Sequence, residues 1–380
     1  MRIAQIAPPF ESVPPEKYGG TERVVSTLTD ELVRRGHDVT LFASGDSKTS
    51  ARLVPVVDKA LWHHDPPYRD LLPFWTIVLD LVAPELDKFD IVHSHLDHFG
   101  YPLARLAQRP VVTTLHSCLD LPELEQLYDR ITDVPLVSIS DAQRAPAPRA
   151  NWVATVYHGI PLDTLTLHPR GGEYLAFLGR ISPEKGLDTA VEVARRAGMP
   201  IKIAARKPLP NKEDPDVRRD REYYTSTIEP LLQSRSVDLV GQVDEDEKDD
   251  FLGNAAALLF PIQWPEPFGL VMVEALACGT PVLAFRHGSV PEVLEHGVTG
   301  FICDTEDEMV DAVARIGEID RSRCRAEVER RFTPAAMADA YERVYERLIE
   351  EHQAAPPDDG SQAQPLEVST TSGRQVNVRA

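Results

Sequence analysis

Apolar residues recur along the chain in two rhythms: short continuous runs, and stretches in which they fall three and four positions apart. RIAQIAP (2–8) is a run of the first kind and predicts a strand. From Thr21 to Arg35 the apolar positions are Val24, Val25, Leu28, Leu32 and Val33, helical spacing closed by Gly36. HDVTLFAS (37–44) predicts the next strand, so the chain opens with a strand–helix–strand unit of the kind that builds a parallel sheet. Residues 51–88 are less regular, with a WHHDPPYRD loop (62–70) and a helix expected over 74–84. DIVHSH (90–95), PVVTTLH (110–116), PLVSIS (135–140) and WVATVYHG (152–159) are continuously apolar, the pattern of strands covered on both faces.

Near HPRGGE (168–173) the composition breaks and the alternation begins again. YLAFLGR (174–180) predicts a strand, Gly186–Arg196 a helix and PIKIAARK (200–207) a strand. After a charged insert (210–222), EYYTSTIEPLLQ reads as a helix and VDLVGQV as a strand. A short helix (245–254), the strand AALLFPI, a helix (269–278) and the strand TPVLAF follow. The segment 333–353 is amphipathic and laced with charge, a terminal helix, and the Pro/Gly/Ser/Gln-rich remainder is expected to be disordered. The expected organisation is therefore a Rossmann-like domain over 1–171, a second over 172–333, a helix over 334–353 that crosses back to the first, and a tail over 354–380. Two doubly wound α/β domains facing one cleft place ligand chemistry between them.

A chain of 380 residues suits two domains better than one core. Its formal charge of −20 opposes nucleic-acid binding as the main activity, while leaving room for an anion held in one local basic pocket. No apolar run approaches a transmembrane helix, and Pro8 and Pro9 end the first one at once, so the N-terminus reads as a strand rather than a signal peptide and the protein as cytoplasmic. The cysteines at 118, 278, 303 and 324 lack the spacing of a zinc site or a disulfide framework.

Three stretches concentrate candidate chemistry. In YGGTERVV (18–25), Gly19 and Gly20 precede a helix and allow a ligand close approach to backbone N–H groups; a plain strand-to-helix turn would look the same. In FLGRISPEKGLDTAV (177–191), Arg180 follows a strand and Lys185 stands just before a helix, a fork and a point charge that suit a diphosphate or remain as solvated loop charges. In PIQWPEPFGLVMVEALACGTPVLAF (261–285), the prolines keep Glu266 in a loop, and Glu274 lies in the second turn of the helix that begins after Gly269. A loop carboxylate can accept hydrogen bonds from sugar hydroxyls, and the deeper one can bind a vicinal diol such as ribose. The N–H groups of Phe268, Gly269 and Leu270 complete an anion site. The alternative is that Glu266 caps the helix and Glu274 is solvated. HSHLDH (93–98) carries three histidines and an aspartate, which raises a metal reading.

YGGTE, HSH, TLH, SISD, YHGI, LGRISPEKG and EPFGLVMVEALACGTPV followed by GSVPEVLEHGVTGF resemble the retaining glycosyltransferases of family GT4, over residues 1–350. The resemblance implies a two-domain GT-B enzyme that uses a nucleotide-sugar donor, with Glu266 and Glu274 as its E-x7-E pair. It implies that Arg180 and Lys185 hold the diphosphate and stabilise the leaving group, so that neither a metal nor another cofactor is needed. By the same resemblance Glu274 binds ribose, Glu266 holds hydroxyls of the transferred sugar, and Gly19 and Gly20 lie against the phosphate or sugar. His116 matches the histidine that contacts the donor sugar beside the reacting carbon. Ser140 and Asp141 are expected to line the cleft, with Asp141 equally able to cap the following helix. The resemblance also speaks against a metal on HSHLDH and leaves His95 and His98 for the acceptor or a neighbouring loop.

Two departures stand out. Ala205 occupies a position where the family usually has glycine, followed by Arg206 and Lys207, of which Lys207 by position can reach a phosphate or the base. HGIPLD (158–163) replaces the family's usual NG-I-D turn. The expected reaction is transfer of a hexose, UDP-glucose being slightly favoured over GDP-mannose, to a polar or sugar acceptor hydroxyl with an α bond formed. Residues 8–18, which include Tyr18, and the 62–70 loop are the candidate acceptor surface. A UDP-sugar 2-epimerase and a non-catalytic nucleotide-sugar or glycan-binding protein are the rival readings.

Overall fold

The computed structural model describes residues 1–16, 19–208 and 215–354; Tyr18, the start of the charged insert and the tail from 355 lie outside the described residues. The first sheet contains β1 (Arg2–Ile6), β2 (Asp38–Ser44), β3 (Arg52–Val57), β4 (Ile91–Ser94), β5 (Val111–Thr114), β6 (Leu136–Ser138) and β7 (Trp152–Thr155) in the order β3-β2-β1-β4-β5-β6-β7. The second contains β8 (Leu175–Leu178), β9 (Ile201–Ala204), β10 (Val237–Gly241), β11 (Ala257–Phe260), β12 (Val282–Phe285) and β13 (Gly300–Cys303) in the order β10-β9-β8-β11-β12-β13. Each named pairing is parallel, as strands joined by crossover helices require. The central strands are buried on both faces, which explains their unbroken apolarity: Ile3, Ala4, Ile6, Val92, Leu175, Leu258 and Leu283 are all at most 1% exposed.

Strand order reverses between β1 and β4 in the first sheet and between β8 and β11 in the second. At such a switch point the loops leaving the two strands splay apart and open a crevice at the carboxyl edge. Those four loops carry Gly19–Gly20, HSHLDH, GRISPEK and WPEPFG, so the topology itself gathers the candidate motifs.

Three expectations need correction. Residues 51–88 contain the edge strand β3, whose alternating exposure and Pro55 hid it from a search for apolar runs, and their helix is Leu72–Val82. The helix expected from 222 onwards already begins at Pro215, inside the charged insert, and passes through a wider turn over Tyr224–Ile228. After β12 the chain adds β13 and the helices Glu306–Ala314 and Arg321–Arg331 before the terminal helix Pro334–Ala354.

The terminal helix does return to the first lobe. Met337, Ala338, Tyr341, Val344, Tyr345 and Leu348 pack with Ile3, Val24, Leu28, Ile91 and Val112 in one apolar cluster. Its charged face adds Arg35 to Asp339 and Glu342, each at 2.6 Å.

Candidate active site

The loop after β11 is built to hold Glu266. Gly269 adopts a left-handed conformation (φ 76°), which a side chain would strain, and from there Leu270–Ala277 runs as a helix. Gly288 (φ 54°) lies so close to this loop that an added Cβ would stand 2.3 Å from the Glu266 carbonyl. The next residue donates twice to the loop: Ser289 N–H to the Glu266 carbonyl at 2.9 Å and its hydroxyl to the Phe268 carbonyl at 2.9 Å. None of the N–H groups of Phe268, Gly269 and Leu270 donates to another described residue, so the helix mouth is available to an anion.

Both glutamates of the opening motif are buried, Glu266 to 9% and Glu274 to 6% exposure, and each meets one lysine. Lys185 donates to Glu266 Oε2 at 2.6 Å, and its Nζ stands 4.9 Å from the centre of the Trp264 ring. Trp264 Nε1 donates to the same oxygen at 2.9 Å. Lys248, on the helix Glu245–Gly253, donates to Glu274 Oε1 at 2.6 Å. Solvation does not account for Glu274: it is a buried carboxylate paired with Lys248, a lysine it shares with Glu245 at 2.7 Å. Its remaining oxygen, Oε2, makes no hydrogen bond to a described residue.

Arg180, just past β8, is ion-paired with Glu184 and lies 3.5 Å from Asp220, while Arg219 reaches the same two carboxylates at 3.1 and 3.0 Å. Burial raises the Asp220 carboxyl, with both arginines pulling it back. The two cations therefore stand opposite carboxylates that an incoming diphosphate would compete with. Lys207 lies apart from them, its Nζ 5.5 Å from the centre of the Tyr224 ring.

On the first lobe, a Cβ added to Gly20 would stand 3.6 Å from Leu270 Cδ1, so the glycine turn faces the helix mouth. His116 follows β5; its backbone N–H donates to Asp97 Oδ1 at 3.0 Å, and its ring stacks on His158 at 5.4 Å. His158 in turn meets Phe268 edge-on at 4.8 Å. Burial lowers the pKa of His116, with Asp97 partly opposing, and pushes His95 and His158 well below the usual histidine range. All three are neutral at pH 7.

Two expected cleft residues are not there. His95 is 1% exposed and spends both ring nitrogens on Gln5 and His116, which leaves none for an acceptor. Ser140 is fully buried, and its hydroxyl accepts from Gln143 N–H at 3.1 Å, the capping role considered for Asp141. Asp141 instead accepts from Thr155, and its N–H donates to Glu292 Oε2 at 2.7 Å. His98 is partly exposed and stacks on Phe99 at 4.4 Å. Among the described residues no group of histidines, cysteines and carboxylates could hold a metal ion.

Lys248 and Glu292 were not singled out from the sequence. Lys248 is the one cation in the acidic stretch EDEKDD, a signal that points to a carboxylate partner elsewhere. Glu292 sits inside GSVPEV and binds across the cleft to Asp141 N–H and Ala142 N–H, each at 2.7 Å, and to the Tyr157 hydroxyl at 3.0 Å.

Two facing Rossmann-like lobes, with cations and carboxylates gathered at the second lobe's switch point and a glycine turn and histidines at the first's, are the architecture of the GT-B class of glycosyltransferase. The family model described as "Glycosyl transferases group 1" matches residues 166–331 and that of "Glycosyltransferase Family 4" matches residues 18–163, and the chain belongs to this GT4 family. Among curated relatives, the D-inositol 3-phosphate glycosyltransferase of Mycolicibacterium smegmatis is 27% identical over 95% of this chain and 92% of its own. The phosphatidyl-myo-inositol mannosyltransferase of Propionibacterium freudenreichii is 28% identical over 79% of this chain and 81% of its own. Among solved structures, sucrose-phosphate synthase of Thermosynechococcus elongatus shares the fold with a TM-score of 0.76 at 19% identity, over 92% of this chain and 99% of that one. HepE of Anabaena in complex with UDP and glucose does so with a TM-score of 0.69 at 18% identity, over 91% of this chain and all (100%) of that one. The protein is a glycosyltransferase, and no helix among its described residues is long and apolar enough to cross a membrane.

Proposed function

We propose that the enzyme moves a hexose from a nucleoside diphosphate sugar to an acceptor hydroxyl with retention of the α configuration. The observation that carries this reading is the pairing of each motif carboxylate with a cation at 2.6 Å, Lys185 with Glu266 and Lys248 with Glu274. Hydrolytic retaining enzymes place two carboxylates about 5–5.5 Å apart about the scissile bond. Here the two stand on successive features of one loop and helix, each neutralised, which suits holding hydroxyls better than acid–base work.

In this reading Glu274 takes the ribose and Glu266 the transferred sugar, while Arg180, Lys185 and the helix mouth at Phe268, Gly269 and Leu270 take the diphosphate. Gly19 and Gly20 close on it from the opposite lobe, and Lys207 lies within reach of the nucleotide. The bond from the anomeric carbon to the phosphate oxygen breaks as the bond to the acceptor oxygen forms on the same face. The acceptor proton passes to the departing phosphate oxygen, and Arg180 and Lys185 stabilise the charge that develops there. His116 contacts the sugar beside this carbon. No metal or other cofactor is invoked, so EDTA is expected to leave turnover unchanged. Four free cysteines, three of them buried, suit a cytoplasmic protein.

UDP-glucose is the first donor to test. GDP-mannose is the second, because several curated relatives are named mannosyltransferases. Thermal-shift screening against UDP, GDP and ADP sugars identifies the nucleotide, and incubation of the preferred donor with sugar and polyol acceptors then tests transfer. Conversion of UDP-N-acetylglucosamine without any acceptor would favour an epimerase instead. Glu274→Ala is expected to weaken the selected nucleotide about tenfold or more, the loss of a charge-assisted hydrogen bond. Unchanged nucleotide affinity would remove the ribose assignment.

A further inference from the structure

The sequence presents HSH and TLH as separate strand ends, but the fold joins them into one buried hydrogen-bonded file. His116 Nε2 lies 2.9 Å from His95 Nδ1, and His95 Nε2 lies 2.7 Å from Gln5 Oε1. The Gln5 amide nitrogen donates to the Tyr345 hydroxyl at 3.1 Å, and that hydroxyl lies 2.7 Å from His93 Nδ1. Gln5, His93 and His95 are at most 1% exposed, and Tyr345, from the terminal helix, is fully buried.

Single-file bonding links the protons, so that the orientation of the Gln5 amide sets where each one sits. An amide oxygen only accepts, so with Gln5 Oε1 turned toward it, as here, His95 carries its proton on Nε2. Burial keeps His95 neutral, so its Nδ1 holds a lone pair. The bond to His116 must then be donated by His116 Nε2–H. His116 is neutral too, which leaves its Nδ1 as a bare acceptor without a hydrogen bond to any described residue. The His116 side chain is only partly covered, so this nitrogen is the atom it can offer to a ligand.

We propose that Gln5 and His95 are positioning residues that hold His116 in its Nε2–H form, so that Nδ1 accepts a hydrogen bond from a hydroxyl of the transferred sugar. The proposal rests on the reading of His116 as a donor-sugar contact and adds its direction: the histidine accepts and does not donate. A deoxy or fluoro substitution at the contacted position removes the proton it needs. The terminal helix takes part through Tyr345, which holds the far side of the Gln5 amide.

The test is made on the full chain labelled with 15N-histidine. Long-range 1H–15N spectra at pH 7.5 distinguish the two neutral tautomers, and His116→Gln and His95→Gln assign the signals. The expected result is the Nε2–H pattern at both His95 and His116. An Nδ1–H pattern at His116 means that the file runs the other way, with the Gln5 amide turned over, and overturns the proposal. The functional arm compares UDP with UDP-glucose, and GDP with GDP-mannose, by calorimetry on wild type, Gln5→Met and His116→Ala. Gln5→Met is expected to erase about tenfold of the affinity that the sugar adds, one hydrogen bond's worth, while the bare nucleotide binds as before. Equal loss for nucleotide and nucleotide sugar would mark Gln5 as merely structural. If His116→Ala leaves the sugar's increment intact, the donor-sugar reading fails, independently of the tautomer.

Discussion

A carboxylate buried beside a single lysine is stable only while both charges remain, and that makes Lys248 a probe of the site. Its ammonium touches Glu274 at 2.6 Å and Glu245 at 2.7 Å, and Glu245 in turn meets Arg23 of the first lobe at 2.7 Å. Lys248→Met keeps the apolar stem and strands Glu274 in a setting where its side chain is 7% exposed. Breaking one side of a buried pair typically costs about 3–5 kcal/mol, and chemical denaturation should show a loss of that order. Adding Glu274→Gln removes the stranded charge and is expected to recover most of the stability, whereas nucleotide binding stays weak. A double variant that regained both would make Glu274 a structural partner and nothing more. Glu266 differs in holding two donors, Lys185 and Trp264, so its position is less dependent on either one.

At the scale of elements, the parts read well from the sequence are those whose signal is local. Gly36, Gly186 and Gly269 take positive φ where the pattern placed helix boundaries, and the buried strands appear as apolar runs because both faces are covered. What was not legible depends on the partner rather than on the segment. The edge strand β3 has one paired side and alternating burial, so its run is broken. His95 and Ser140 stand in motifs that resemble cleft residues, yet both lie just past a strand end and are buried, their side chains bonded to Gln5 and His116 and to Gln143 N–H. Lys248 and Glu292 reach the site through residues 26 or more positions away. The terminal helix lies between these cases, since its amphipathic pattern is local and its berth is not. Tyr341 is fully buried there, and its hydroxyl lies 2.9 Å from Thr114 Oγ1. Tyr341→Ala should therefore destabilise the first lobe by about 3–5 kcal/mol, as for other buried aromatic truncations. Hydrogen exchange on the isotope-labelled protein should show the loss on β1, β4 and β5, and a loss confined to the helix would mean that it packs without supporting the sheet.

Across the whole molecule the two lobes meet over the site. Glu292 spans to the Asp141–Ala142 turn, Arg23 meets Glu245, and the Cys118 thiol lies 3.5 Å from the Pro265 carbonyl. Behind this contact runs a line of rings, His93, His95, His116 and His158, with neighbouring centres 4.0, 5.2 and 5.4 Å apart. Burial lowers the pKa of each below the usual 6.5. Above pH 6.5 these histidines are neutral in both folded and unfolded chains and contribute no pH dependence. As pH falls through 6.5 the unfolded chain takes up protons that the folded one refuses, so stability is lost on acidification. Each such group contributes up to about 1.4 kcal/mol per pH unit. Glu22 opposes them: burial raises its carboxyl to about 7, so between pH 7 and its unfolded value of 4.5 the folded chain holds the extra proton and gains stability as pH falls. Burial shifts His98 the same way and raises Asp220 like Glu22, so the imidazoles outnumber the opposing carboxyls and the net effect below pH 6 is a loss of stability. Melting curves are expected to change little between pH 8 and 7 and then to fall steeply from pH 6 to 5. His158→Phe keeps a ring of similar shape and removes one titrating group whose Nδ1 is buried without a partner, so it should make the acid slope visibly shallower. A melting temperature that stayed level down to pH 5 in the wild type would mean that the histidines take up protons without unfolding, and that the line of rings is open to solvent.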